Sequence, residues 1–275
     1  MTPVRIQLIF FSIFLCLVSF VSTCIAQSSG QKLPQVYVEM LNQQVWWDSA
    51  SPSKSNPNGL NFQFSKIDEA NLTQGHYLRY RVYVPGAPED QKYSLGIWEI
   101  GTMVKDLQIA VPEVYVNAKG LLMTHKPRKD QENKDTVESD DEIDLALQSA
   151  RGEPVRLVLS NPKKTLLFIG TIVPYPIESK DGNCRVEARL AEPTGSAIPL
   201  YLDGFPANSD VSFDSTSANE SMVTTFHTDA HGHAAKFDLP SVIGKDSGVL
   251  RESIAAKNCT ISIEIPWGNG SYKPF

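Results

Sequence analysis

Cysteine is nearly absent from this chain: Cys16 and Cys24 fall within the first 26 residues, and only Cys184 and Cys259 follow. So thin a supply argues against a Cys-rich metal module or a multi-disulfide scaffold. Basic residues are also short, with 25 Lys and Arg against 31 Asp and Glu for a net charge of −6. Nucleic-acid binding needs the opposite balance, so DNA, RNA and anionic membrane surfaces are not expected partners. No apolar segment after residue 26 is long enough to cross a bilayer. There is no Gly-x-Ser-x-Gly elbow, phosphate-binding loop, dinucleotide fingerprint or His-Glu-x-x-His pair, and no cofactor is expected. These absences still leave open a Ser/His/Asp triad, whose members need not be neighbours in sequence.

The opening segment does carry a pattern. Arg5 precedes a 14-residue apolar run from Leu8 to Val21, and Cys24 and Ala26 are small residues at the two positions a signal peptidase reads. Residues 1–26 are therefore expected to be a signal peptide cleaved after Ala26, in preference to an uncleaved anchor over Leu8 to Ala26 or a lipid anchor at Cys24. The mature chain is then secreted or periplasmic, with no membrane span. Its charge is one unit more negative, because Arg5 is the only charged residue removed.

Export makes the remaining cysteines a disulfide candidate. Cys184, Val186, Ala188 and Leu190 share one face of a period-2 pattern, and so do Cys259, Ile261, Ile263 and Ile265. Both cysteines thus face a core at the start of a strand. Joining them requires either a parallel first-to-last pairing or a facing arrangement across a sandwich.

Many short strand-like runs separated by Gly/Pro turns predict an all-β protein of two β-sandwich domains. The first, residues 33–174, has expected strands at Val36–Leu41, Gln44–Trp47, Leu60–Phe64, Tyr77–Val84, Leu95–Ile100, Leu107–Val116, Gly120–Met123, Val155–Leu159 and Leu166–Val173, with a turn-rich stretch at 51–59. A solvated charge run at Lys126–Asp135 and a capping box at Ser139–Glu142 place one short helix over Asp141–Ala150. The acidic group Asp140, Asp141, Glu142 and Asp144 reads as the start of that helix rather than as a calcium loop, since the turn glycine is missing.

Tyr175–Asn183 reads as a linker into the second domain, residues 183–275. Seven strands are expected there: Cys184–Leu190, Ile198–Leu202, Ser209–Asp214, Met222–His227, His233–Leu239, Gly248–Ala255 and Cys259–Pro266. The phrases Gly204-Phe205-Pro206-Ala207-Asn208-Ser209-Asp210-Val211 and Thr228-Asp229-Ala230-His231-Gly232-His233-Ala234 resemble the repeating grammar of bacterial extracellular Ig-like domains. That resemblance covers the last third of the chain. It implies an Ig-like sandwich and an extracellular setting.

Two constellations are candidate sites. His227, Asp229, His231 and His233 offer imidazole and carboxylate ligands for a metal, but Asp-Ala-His-Gly is equally a hairpin turn, and the turn is the favoured reading. Trp47 beside Trp46, and Tyr77, Arg79, Arg81 and Tyr83 on one strand face, have the composition of a recognition surface. A solvated face with cross-strand pairs explains the same stripe more simply. The expected function is non-catalytic binding or scaffolding in a bacterial envelope or secretome, with a glycan or an envelope protein as partner. The alternative is a metal-assisted hydrolase using His227, His231 and His233.

Overall fold

A computed structural model of the chain describes residues 8–9, 34–49, 62–72, 75–126, 141–164 and 167–272. The signal segment with its cleavage point, the stretch 51–59 and most of the charge run at 126–135 lie outside the described residues. Of the opening segment only β1 (Leu8–Ile9) is described, paired in parallel with Leu145 and Ala146.

The chain is all-β with one α-helix among the described residues. In the N-terminal half, β7 (Asp144–Leu147), β3 (Gly75–Tyr83) and β2 (Gln63–Leu72) continue from β1 to form a four-stranded sheet. It faces a five-stranded sheet in the order β6 (Leu122–Met123), β5 (Gln108–Val116), β4 (Tyr93–Trp98), β8 (Val155–Ser160) and β9 (Leu167–Ile172). Alternation decides which side chains fill the space between them. Leu78, Tyr80 and Val82 of β3 and Leu145 and Leu147 of β7 pack against Leu95, Val114, Leu157, Leu159 and Phe168.

The five-stranded sheet is buried on its other face too. Arg156, Val158, Trp98 and Ile169 point away from the first core, and α1 (Gln35–Ser49) lies over them. Burial on both sides is why Arg156, Leu157, Val158 and Leu159 are buried in succession. Gly96 of β4 stands opposite Val158 of β8 within this sheet, where a Cβ would lie 2.8 Å from Val158 Cγ1.

Helix α1 replaces the two strands expected over Val36–Leu41 and Gln44–Trp47. Val36, Val38, Val45 and two adjacent tryptophans favour a strand locally, yet the buried residues Met40, Leu41, Gln44 and Trp47 recur every three or four positions. That is helical spacing, and tertiary packing outweighs propensity. Pro34 stands just before the first turn, where a missing N–H costs nothing, and its carbonyl accepts from Tyr37 N at 3.0 Å.

The helix expected over Asp141–Ala150 is instead strand β7 with short flanks. Leu145, Ala146 and Leu147 are all buried in a strand lying between β1 and β3, so the alternation that would mark it as a strand is erased. The expected linker Tyr175–Asn183 likewise contains β10 (Ile177–Asp181), whose Ile177 is buried.

All seven strands expected after residue 183 are present: β11 (Cys184–Ala188), β12 (Ile198–Asp203), β13 (Asp210–Ser217), β14 (Glu220–His227), β15 (Ala234–Asp238), β16 (Ser247–Ala256) and β17 (Cys259–Gly268). One sheet runs β10-β11-β12-β15 and the other β14-β13-β16-β17. With β10 as an added edge strand, the seven strands form a two-sheet sandwich, the chain crossing between sheets after β12, β14 and β15. Its core takes Val186, Leu200 and Leu202 from one sheet and Val211, Phe213, Ile254 and Ile261 from the other.

Cys184 and Cys259 form a disulfide with a Cα–Cα distance of 6.4 Å. It joins the first residue of β11 to the first residue of β17, one in each sheet, which is the facing arrangement. Beside it, Asp181 Oδ2 accepts from Thr260 N at 2.9 Å. Closing a loop with a sequence separation of 75 residues stabilises the fold by about 4 kcal/mol in the chain-entropy model. Cys259→Ser is expected to lower the unfolding free energy by that amount in urea titrations, with an unchanged far-ultraviolet spectrum in water.

Candidate functional site

One acidic side chain ties the two sandwiches together. The side chain of Asp48, in the last turn of α1, is completely buried. Its carboxylate takes both arms of one guanidinium, Arg156 Nε to Oδ1 and Nη2 to Oδ2, each at 2.8 Å. Thr171 of β9 donates to Oδ1 and Tyr201 of β12 to Oδ2, both at 3.0 Å. Arg189, following β11, brings a second guanidinium to 3.5 Å. Its guanidinium carbon lies over the Tyr201 ring, 4.6 Å from the centroid, and that of Arg156 lies over the Trp98 ring at 5.0 Å.

The charges fit their surroundings. Burial alone would raise the Asp48 pKa, but the attraction of Arg156 and Arg189 outweighs it and holds the carboxyl below its ordinary value. The Tyr201 phenol is pushed well above its ordinary value by burial and by Asp48. One turn earlier on α1, the buried Gln44 donates to the carbonyl of Ala191 at 3.1 Å. Met40 and Leu41 pack on Ala191 and Ala197, while Trp47 sits 5.0 Å from Trp98. The helix therefore grips the five-stranded sheet with one end and the C-terminal sandwich along its length.

Beside this seam lies a cleft of about 680 Å³. Ile97, Trp98, Ile100 and Val155 line it from the N-terminal sandwich, and Leu190, Pro193 and Tyr272 from the C-terminal one. Glu99 and Glu153 are its charged lining groups, with no Lys, Arg or His among the lining residues. Glu153 accepts from Ala150 N at 2.7 Å. Burial pushes its pKa up, the Ala150 bond opposes that, and the Glu99 charge adds to the rise. The Tyr272 hydroxyl donates to the Pro266 carbonyl. An apolar cleft of this size with convergent carboxylates can hold a small molecule that is apolar over most of its surface and carries hydrogen-bond donors or a positive charge.

The residues singled out in the sequence lie elsewhere and apart. Trp47 is core, and its neighbour Trp46 is the exposed one. Tyr77 is fully buried. Arg79 reaches Asp68 at 3.3 Å and Asp144 at 3.6 Å, while Arg81 reaches Glu142 at 2.7 Å and Asp144 at 3.3 Å. Those cross-strand ion pairs use up both guanidiniums, and Tyr83 remains half-buried at the end of the strand. The same pairs correct the reading of the acidic group: Glu142 and Asp144 face Arg81 across the sheet, and Asp141 meets His125 at 3.1 Å, rather than capping a helix.

The histidine group is a turn, but one that joins the two sheets rather than a hairpin within one. Asp229 Oδ1 accepts from the backbone N–H of His231 and of His233, both at 2.8 Å. Gly232 has φ 78° and presses on Phe205, where a Cβ would lie 2.0 Å from the carbonyl oxygen. His227 pairs with Asp210 at 2.9 Å and His233 with Asp203 at 3.0 Å. Among the described residues no three His, Cys, Asp or Glu side chains gather as a metal site.

Sequence reasoning missed Asp48, Arg156, Arg189, Tyr201 and Glu153. Arg156 did leave a trace, as a lone charge inside the apolar run Val155-Arg156-Leu157-Val158-Leu159. Comparison of the chain with known protein-family models and with curated proteins gave no match in either.

Removing the Asp48 charge leaves the buried Arg156 guanidinium without a counter-ion, so Asp48→Asn is expected to cost about 3–5 kcal/mol at neutral pH. Because the folded pKa is lowered, this contribution is whole above about pH 4, the unfolded value. It fades as the pH falls through the lowered folded value. Denaturant titrations of both proteins across this range should therefore converge in acid.

Proposed function

We propose that the chain is an exported, non-catalytic binding protein of a bacterial envelope or secretome, and that its ligand sits in the cleft at the seam. The C-terminal sandwich is assigned to the bacterial extracellular Ig-like domains, supported by its seven strands in two facing sheets and by its turn phrases. The disulfide fits an oxidising compartment. The observation carrying the binding role is the cleft of about 680 Å³, walled by both sandwiches and held in shape by the Asp48 network. Clefts of this kind are where proteins hold small ligands.

The lining selects an amphipathic molecule with an apolar body and a donor or ammonium group facing Glu99 and Glu153. Buried apolar contact supplies affinity, and the carboxylates fix orientation. A fluorescent aryl-alkyl amine is the direct probe, with neutral oligosaccharides as competitors. Saturable binding of the amine is expected, weakened about tenfold by Glu153→Gln, the loss of one charge-assisted hydrogen bond. Since burial raises the Glu153 pKa, affinity for the amine should grow as rising pH ionises that carboxyl. Undiminished binding by a variant whose cleft is filled by Leu190→Trp would place the ligand elsewhere.

A further inference from the structure

The C-terminal wall of the cleft carries a reactive pair. Asn269 and Gly270 follow β17, line the cleft and are exposed to solvent. The backbone around them is tied down. Gly268 N donates to the Thr194 carbonyl and Asn269 N to the Asp246 carbonyl, both at 2.9 Å, and Ser271 N closes the turn on the Gly268 carbonyl at 3.3 Å. Ser271 Oγ adds a bond to the Trp267 carbonyl at 2.7 Å. Within that frame one unit is free. Among the described residues, neither the side-chain amide of Asn269 nor the peptide joining it to Gly270 has a hydrogen-bond partner. Gly270 has φ 76°, and a Cβ there would meet nothing within 4 Å. The joining peptide can therefore rotate without breaking a bond, and no side chain shields the Gly270 nitrogen.

A backbone nitrogen following an asparagine can close a five-membered ring on the side-chain carbonyl carbon. Because both groups belong to one short stretch of chain, they meet far more often than separate molecules would, provided neither is held elsewhere. Asn117 and Asn208, also in loops between strands, fail that condition. Asn117 Oδ1 accepts from Lys119 N at 2.9 Å and from Leu121 N at 3.0 Å. The nitrogen after Asn208, that of Ser209, donates to Thr228 Oγ1 at 3.0 Å.

We propose that Asn269 is a self-modification site, which closes on Gly270 and reopens as a carboxylate, giving the cleft a third acidic group. The Gly270 nitrogen attacks Cγ of the Asn269 side chain. An N–C bond forms, the Cγ–Nδ2 bond breaks, and ammonia leaves with the proton that the Gly270 nitrogen gives up. One water then adds at either ring carbonyl. The ring opens to aspartate, or to isoaspartate with the chain running through the side chain. Nothing is oxidised or reduced, and water is the only co-reactant. The lining, whose charged groups are Glu99 and Glu153, gains one negative charge. The consequence for binding rests on the cleft reading above: the modified form holds an ammonium ligand about twofold to fivefold more tightly, the range of an exposed ion pair.

The test holds the folded, disulfide-bonded protein in mildly alkaline buffer, then maps it by proteolysis at acid pH and mass spectrometry. The peptide carrying Asn269 is expected to gain the mass that separates a carboxyl from an amide and to split into two isomers, one of them a substrate for isoaspartyl methyltransferase. The peptides carrying Asn117 and Asn208 should stay unchanged. Asn58-Gly59, the other Asn-Gly pair in the sequence, lies outside the described residues and is scored on its own peptide. Asn269→Gln should resist modification, because its ring would be one atom larger. An intact Asn269 in folded protein after a free peptide of the same sequence has converted would overturn the proposal, as would conversion of Asn117 and Asn208 at the same rate. Asn269→Asp supplies the charge directly and tests the consequence on its own. If that variant binds the aryl-alkyl amine no more tightly than the parent, the role given to the new charge is wrong while the modification stands.

Discussion

The carboxylate of Asp48 is the contact on which the arrangement of this molecule depends. It sits at the end of the helix, yet its partners come from β8, β9, β12 and the segment after β11, so four stretches of chain meet on two oxygen atoms. A buried ion pair of this kind adds little net stability, because desolvation offsets most of the attraction. What it fixes is geometry: a bidentate guanidinium accepts few orientations of its carboxylate. The apolar contacts of Met40, Leu41 and Trp47 supply adhesion, and the charges supply register.

That division of labour shapes the cleft. Its walls come from both sandwiches, so any slippage along the seam would change its width. A helix that is apolar toward both sides and locked at one end by charges keeps the walls at a set distance. The cleft can then be largely preformed, which lowers the entropy lost when a ligand is ordered within it.

Much of the C-terminal half was readable from sequence because β13, β16 and β17 each have one buried and one exposed face. Cys259, Ile261, Ile263 and Ile265 alternate strictly with exposed residues, and the cysteines carried the information that the two sheets face each other. The N-terminal half defeats that reading where layers are buried on both sides. β7 shows no alternation, and α1 hides its helical spacing among β-branched and aromatic residues. The cleft was invisible for a different reason. Ile97, Glu153, Leu190 and Tyr272 are far apart along the chain and converge only through docking of the two sandwiches. The stripe of tyrosine and arginine was conspicuous in sequence, but the acidic residues that neutralise it lie on neighbouring strands.

The sulfur link between β11 and β17 also sets how this molecule bears a load. Tension applied to the two ends of the chain enters at Cys184 and leaves at Cys259 through the covalent bridge, so the intervening strands carry none of it. However hard the ends are pulled, the polypeptide between those residues adds nothing to the contour that can pay out. Stretching is confined to what lies before β11 and after the first residue of β17, and the C-terminal half behaves as a short inextensible link.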